Sequence, residues 1–231
     1  MTLDTDSKGS ATKISELVEH HIGLQGLTVA TIADVLDRLG YRNQVMHSRM
    51  RPVAAVRPIL GPAFTMQAVP QPSLVSEPYA MEMAATDVMP PGAVVAVSAG
   101  GASQAGLWGE LLSTRALARG GVGAVIDGGV RDIAGIERLR FPTIASTIHA
   151  ADSYGRAEVT SFDEPIICGD VPVRPGDLIA ADLDGVVVIP VEIAEKAIDE
   201  AAIKLAKEHE AQRMLKQGVS VRDVYERTGV L

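Results

Sequence analysis

The chain has 231 residues, 47% of them hydrophobic, and carries a net charge of −8 with a pI near 5.1. That is enough apolar material for one domain with a substantial core, and with aromatics at 3% the core has to be built from Val, Ile, Leu and Ala. No dense Lys/Arg block offsets the acidic balance, which argues against nucleic acid as a partner. The lone cysteine, Cys168, excludes an internal disulfide framework and a Cys-cluster metal site. No apolar stretch reaches the length of a membrane span, and the polar start MTLDTDSKGSATK is neither signal nor transit peptide. The expectation is a cytoplasmic protein with a loose tail over residues 1–12 and one domain over 13–231.

In chain order, ISELVEHHI predicts a short amphipathic helix, and TVATIADVLDRLG a second, with Thr28 as its N-cap and Gly40 as its stop. Residues 51–69, with PILGPAFTMQAV, read as strands. From residue 77 the pattern becomes strand–helix–strand. EPYAMEMAATDVM is a helix, AVVAVSA a buried strand, GGASQAG a loop, and LWGELLSTRALARG a helix over 107–119. GAVIDGG then reads as a strand ending in a turn at Asp127, IAGIERLR as a short helix and FPTIAS as a strand, so the centre is a parallel βαβαβ unit with right-handed crossovers. Residues 158–190 carry turn signals at Gly169-Asp170, Pro175-Gly176-Asp177 and Asp184-Gly185, which predict antiparallel hairpins. A long polar helix and a short tail helix fill 191–231, long enough to reach a neighbouring subunit.

Ligands of parallel sheets sit outside the carboxyl ends of the strands. Two such ends, loops 99–106 and 127–132, fall on neighbouring strands, and the helix after the first points its N-terminal N–H groups at the space between them, an arrangement that favours a carboxylate or phosphate. Into this space the sequence puts Glu110, Asp127, Arg131 and Asp132. Arginine presents a planar fork to a carboxylate or keto-acid oxygen pair. An aspartate beside it suits a hard divalent cation, since Mg²⁺ takes only one or two carboxylates and keeps several waters. Together they could polarise a carbonyl and stabilise an enolate. Each residue also has a purely structural explanation: Arg131-Asp132 as a cap with a surface charge, Glu110 as a dipole-favoured first-turn residue, Asp127 as a strand-end turn. Their convergence on one sheet edge is what favours the functional reading.

Other constellations point elsewhere. GGASQAG lacks the Gly-Lys-Ser/Thr of a P-loop and the spacing of a dinucleotide fingerprint. The histidines at 20, 21, 47, 149 and 209 form no HExxH motif, and Asp182 and Asp184 fit a hairpin turn better than a metal pair. Every lysine (8, 13, 196, 204, 207 and 216) lies in a terminal or outer helical segment, so a desolvated Schiff-base lysine is not expected, and carbonyl chemistry here would use a metal.

The segment WGELLSTRALARGGVGAVIDGGVRD resembles the signature of the family that holds the 4-hydroxy-4-methyl-2-oxoglutarate aldolases and the RraA-like regulators of ribonuclease activity. TIADVLDRLG, LGPAFTMQAV, PPGAVVAV, VPVRPGDLIAADLDGVVVIP and GVSVRDVYERTGVL extend the resemblance over roughly residues 28–231. It implies a three-layer β/β/α swivelling-type domain of the α/β class, assembled as a homotrimer or hexamer. It also implies a pyruvate aldolase that depends on Mg²⁺ or Mn²⁺ and forms no Schiff base. By that resemblance Asp132 is the direct metal ligand and Arg131 binds the keto and carboxylate oxygens and supports the enolate. The backbone of Gly109, Glu110, Leu111 and Leu112 holds the pyruvate carboxylate. Glu110, and from a neighbouring subunit Glu208 as the best match with Glu210 as its near alternative, reach the metal through water. The chain departs from the family pattern twice: Glu110 stands where the aldolases have aspartate, and Gly135 where Glu or Asp is usual.

The expectation is therefore a metal-dependent lyase that cleaves a 4-hydroxy-2-oxo acid, such as 4-hydroxy-4-methyl-2-oxoglutarate, to pyruvate and also decarboxylates oxaloacetate through the same enolate. The alternative is a non-catalytic RraA-like protein that regulates a ribonuclease by contact.

Overall fold

The computed structural model describes residues 26–100 and 104–231. The expected tail and the helix ISELVEHHI lie outside these residues. The first helix described is α1 (Val29–Arg38), whose N-cap Thr28 accepts a hydrogen bond from the Thr31 amide at 3.1 Å. Then come β1 (Arg51–Ala54), β2 (Ile59–Pro70), α2 (Ala80–Val88), β3 (Val94–Ser98), β4 (Gly106–Trp108), α3 (Glu110–Ala118), β5 (Gly123–Val130), α4 (Ile133–Leu139) and β6 (Thr143–Ile148). Next are β7 (Ala157–Phe162), β8 (Ile166–Cys168), β9 (Val171–Val173), β10 (Leu178–Ala181) and β11 (Val186–Ile189). A 3₁₀ turn (Val191–Ile193) leads into α5 (Ala194–Lys216), and α6 (Val221–Thr228) follows.

Among the described residues nine strands form one mixed sheet in the order β1-β6-β5-β3-β2-β10-β11, with β4 added to β5 and β7 to β2. The centre is parallel, β2 to β3 to β5 to β6, as the strand–helix alternation predicts. The flanks are antiparallel: β1 on β6, β7 and β10 on β2, and the β10–β11 hairpin. The β8–β9 hairpin forms a separate two-stranded sheet.

Alternation along the strands builds the layers, because successive side chains point to opposite faces. In β3, Val95 and Val97 face the layer of α2, α3 and α4, where Ala85, Met89, Ala116 and Ile136 are buried. Val94 and Ala96 face the other way, toward the hairpin residues Val171, Val173, Val186 and Val188. The last hairpin alternates in turn: Val187 and Ile189 pack under α1 and α5 against Ile32, Leu36, Ala197 and Ile198. Helices, mixed sheet and hairpins thus give the β/β/α arrangement. No helix among the described residues is long and apolar enough to cross a membrane.

Two element boundaries differ from those the sequence suggests. Strand β5 does not stop at Asp127; it continues through Gly128 and Gly129 to Val130, with a register shift against β6 between Ile126 and Gly129. The helix expected over 107–119 begins only at Glu110, because Gly106–Trp108 pairs as a short parallel strand with the tip of β5. Asp127 serves the fold. The Arg49 guanidinium grips both its oxygens, Nε to Oδ1 at 3.1 Å and Nη2 to Oδ2 at 2.9 Å, and the same arginine holds Asp170 at 2.8 and 2.9 Å. The Gly169 amide also donates to Asp127 Oδ2 at 3.0 Å. This clamp pins the β8–β9 turn to the middle of β5. Asp182, in the last hairpin turn, accepts from its own Asp184 amide and from the Val29 amide that opens α1, each at 2.8 Å, so it is a turn and cap residue.

Removing the acceptor in Asp127→Ala leaves the Gly169 amide without its partner and Arg49 with Asp170 alone, and should cost about 1–3 kcal/mol, read as a lower urea midpoint at unchanged slope. Ile198→Ala, which opens a cavity under α5, should cost about 2–5 kcal/mol in the same measurement.

Candidate active site

Strand β4 positions the site. Lying parallel on the tip of β5, it carries the chain to Gly109, the N-cap of α3, directly beside the residues that follow β5. The Arg131 amide donates to the Trp108 carbonyl at 2.9 Å, which locks the two segments together. The Trp108 indole is buried and donates to Ser113 Oγ at 2.7 Å, fixing the first turn of α3 on β4.

Glycine is required at two points of this approach. A Cβ on Gly106 would lie 3.0 Å from Arg131 Cδ and 2.9 Å from the His149 carbonyl oxygen, and one on Gly109 would lie 2.9 Å from Asp132 Oδ2. The space that side chains would have filled admits the arginine and the aspartate. Asp132 is the N-cap of α4 and sits in the left-handed region at φ 58°, ψ 35°. That conformation costs a non-glycine residue about 1 kcal/mol or more. The surroundings maintain it, since the Gly135 and Ile136 amides donate to the Asp132 carbonyl at 2.8 and 3.1 Å.

These residues open onto a cavity of about 510 Å³ bounded by α2 on one side and α3 on the other. Of the expected site residues, Gly109, Leu111, Leu112, Arg131 and Asp132 line it together. Gly109 offers no side-chain cap to α3, and the first intrahelical bond is from the Ser113 amide to the Gly109 carbonyl, so the leading amides of the helix lack intrahelical partners. Arg131 Nη1 lies 3.4 Å from Asp152 Oδ1, and the Tyr79 hydroxyl donates to Asp152 Oδ2 at 2.6 Å. Burial pushes the Asp152 carboxyl up, but the Tyr79 hydroxyl and the Arg131 guanidinium outweigh it and hold the group below its ordinary value. The same hydrogen bond pushes the Tyr79 hydroxyl up to about 12. Arg131 is thus held from the side by an ionised carboxylate.

Asp132 is half-exposed at the cavity, and its nearest cation, Arg131 Nε, is 3.7 Å away, beyond hydrogen-bond range. Its carboxylate oxygens are therefore open to a ligand. Among the described residues no group of three or more His, Cys, Asp or Glu side chains gathers into a metal cage. One open carboxylate facing a cavity is still a donor set that suits Mg²⁺ or Mn²⁺, with water and substrate oxygens filling the rest.

Two expected residues take other positions. Asp127 is not in this cavity; its clamp with Arg49 borders a separate one of about 420 Å³. Glu110 opens α3, but its carboxylate accepts from Arg138 at 3.3 Å and lies over Gly135, where a Cβ would fall 2.2 Å from Glu110 Cδ, and it does not line the cavity. The Glu110 side chain thus fills the space that a side chain at Gly135 would need. Glu208, on α5, has both carboxylate oxygens engaged by its own chain, by Lys204 and by Thr31 Oγ1. Glu210 is exposed and has no such ties among the described residues.

The sequence reading missed Tyr79, Glu82 and Asp152, which also line the cavity. The one signal that could have found them is Glu82, an acid on the inward stripe of a helix whose neighbours Ala85 and Met89 are core residues.

Comparison with known proteins agrees with this architecture. A protein of Halalkalibacterium halodurans, provisionally named a 4-hydroxy-4-methyl-2-oxoglutarate aldolase, is 32% identical over 84% of this chain and 87% of its own. An uncharacterized protein of Pseudomonas syringae pv. tomato superposes with a TM-score of 0.77 at 25% identity, covering 93% of this chain and 97% of its own. RraAS2 of Streptomyces coelicolor, described as an unusual member of the RNase ES inhibitor RraA family, superposes with a TM-score of 0.68 at 29% identity over 82% and 91% of the two chains. The family model RraA-like (Aldolase/RraA) matches residues 29–188, and the chain belongs to that family.

Proposed function

We propose that the protein is a divalent-metal-dependent carbon–carbon lyase that releases pyruvate from a 4-hydroxy-2-oxo acid. The observation that carries this reading is the convergence of Arg131, Asp132 and the uncapped start of α3 on one cavity. The leading amides of α3 would hold the substrate carboxylate, as helix N-termini do for anions. Arg131, oriented by Asp152, would place its fork on the keto and carboxylate oxygens and stabilise the enolate charge as it develops. Asp132 would hold Mg²⁺ or Mn²⁺, which when bound supplies Lewis-acid polarisation of the 2-oxo group. Oxaloacetate decarboxylation should proceed at the same site, because it passes through the same enolate. The active form is a homo-oligomer in this reading, and Glu210 is then better placed than Glu208 to serve a neighbouring subunit.

The likeness to RraAS2 favours a second reading, a regulator that binds a ribonuclease by contact. Metal separates the two, since a contact regulator needs none.

The direct test is exchange of the pyruvate methyl protons in D₂O, followed by NMR. Exchange should require Mg²⁺ or Mn²⁺ and stop with EDTA. Arg131→Ala and Asp132→Ala should each slow it by at least about a hundredfold with melting temperature retained. Metal-independent binding to an endoribonuclease without any exchange would establish the regulator instead.

A further inference from the structure

A volume of about 510 Å³ falls in the range of pockets that enclose drug-sized ligands, about 300–1,000 Å³. Pyruvate alone would leave much of it empty. The rest of the wall is largely apolar: Leu107 and Trp108 are buried in it, Leu112 is partly buried, and Met83 and Leu111 stand exposed at its open edge. Its charges are unevenly distributed. Besides Arg131 the cationic wall group is Arg115, and it is taken by Asp87, Nε to Oδ1 at 2.7 Å.

Glu82 faces the same space from α2. It is only 4% exposed, and among the described residues its carboxyl has no hydrogen bond or ion pair. A buried polar group without a partner is costly, and the usual resolution is a ligand or water atom that completes it. The titratable and charged groups around Glu82 are Tyr79 and Asp87 on its own side, Arg115 from α3, Arg131 and Asp132 after β5, Asp152 and Tyr154 after β6, and Glu158 on β7. Arg131 serves the 2-oxo acid head in this reading and Arg115 is paired with Asp87 at the exposed rim, so a second substrate carboxylate placed beside Glu82 would meet acids.

We infer that the space between α2 and α3 receives the second half of the substrate, that Glu82 is its polar contact, and that this half is uncharged. The substrate class is then a 4-hydroxy-2-oxo acid with an apolar tail, not an oxo diacid like the compound in the names of the relatives. This rests on reading the cavity as a 2-oxo acid site. Burial, reinforced by Asp152 and Glu158, pushes the Glu82 carboxyl up to about 7. Below that pH it donates a hydrogen bond to a neutral oxygen; above it, it repels a carboxylate. Oxaloacetate does not probe the tail, because its second carboxylate carbon takes the C4 position, where the bond is broken, and no atoms extend beyond it.

The test is calorimetric titration of the whole protein with Mg²⁺ and two probes, 2-oxopentanoate and 2-oxoglutarate, which differ by a terminal methyl against a terminal carboxylate. At pH 8 the wild type should bind 2-oxopentanoate at least about tenfold more tightly, a difference of about 1.4 kcal/mol. That margin should narrow toward pH 6 as Glu82 takes up its proton, and in Glu82→Gln, with folding checked by thermal melting, it should not vary with pH. Equal or tighter binding of 2-oxoglutarate overturns the inference, as does a Glu82→Gln protein that keeps the wild-type pH dependence. If 2-oxopentanoate fails to bind to a protein that still exchanges pyruvate protons, the tail assignment falls and the lyase reading stands. A clear preference for 2-oxopentanoate in a protein without exchange overturns the lyase reading and leaves the tail assignment in place. Absence of both binding and exchange overturns both.

Discussion

The site depends on how closely two backbones approach. Strand β4 lies on the tip of β5 closely enough that a Cβ on Gly129 would fall 2.1 Å from the Ala105 carbonyl oxygen. Only that proximity brings the start of α3 against the Arg131-Asp132 pair. A side chain at 129 or 106 would separate the strands and carry the helix amides away from the guanidinium. The positive φ of Asp132 has the same origin: the chain leaves β5 and turns at once into α4, and one residue absorbs the turn.

The parallel centre and the hairpins were legible because their signals are local. Continuous Val/Ile/Ala runs read as buried strands, and Gly169-Asp170 and Asp184-Gly185 as turns. The gathering of Gly109, Arg131 and Asp132 followed from adjacency of two strand tips. The role of Asp127 was not legible, because its partner Arg49 is 78 residues away and nothing in AVIDGG indicates which face the aspartate takes. The early stop assigned to β5 came from treating Gly128-Gly129 as a turn; tertiary pairing with β4 keeps them extended. Tyr79 and Asp152 escaped because neither sits in a recognisable motif, and they meet only when α2 packs beside the segment after β6.

The electrostatics of the cavity follow from which charges have partners. Asp152 stays ionised because a hydroxyl and a guanidinium outweigh its burial, whereas Glu82, with burial and two neighbouring acids against it, shifts the other way. Two carboxyl groups facing one space are thus pushed in opposite directions, Asp152 down and Glu82 up toward neutral pH. The ionised one orients Arg131, and the other can change state with pH or ligand.

Positions 110 and 135 share one small volume, and the carboxylate of Glu110, from α3, fills it. A chain carrying acids at both positions would force two like charges and two sets of atoms into that volume, while a chain carrying neither would leave Arg138 without its counter-ion. The two positions therefore form one packing unit: a side chain introduced at 135 needs a shorter residue at 110, and the first turn of α4 is tied to the first turn of α3 through that contact.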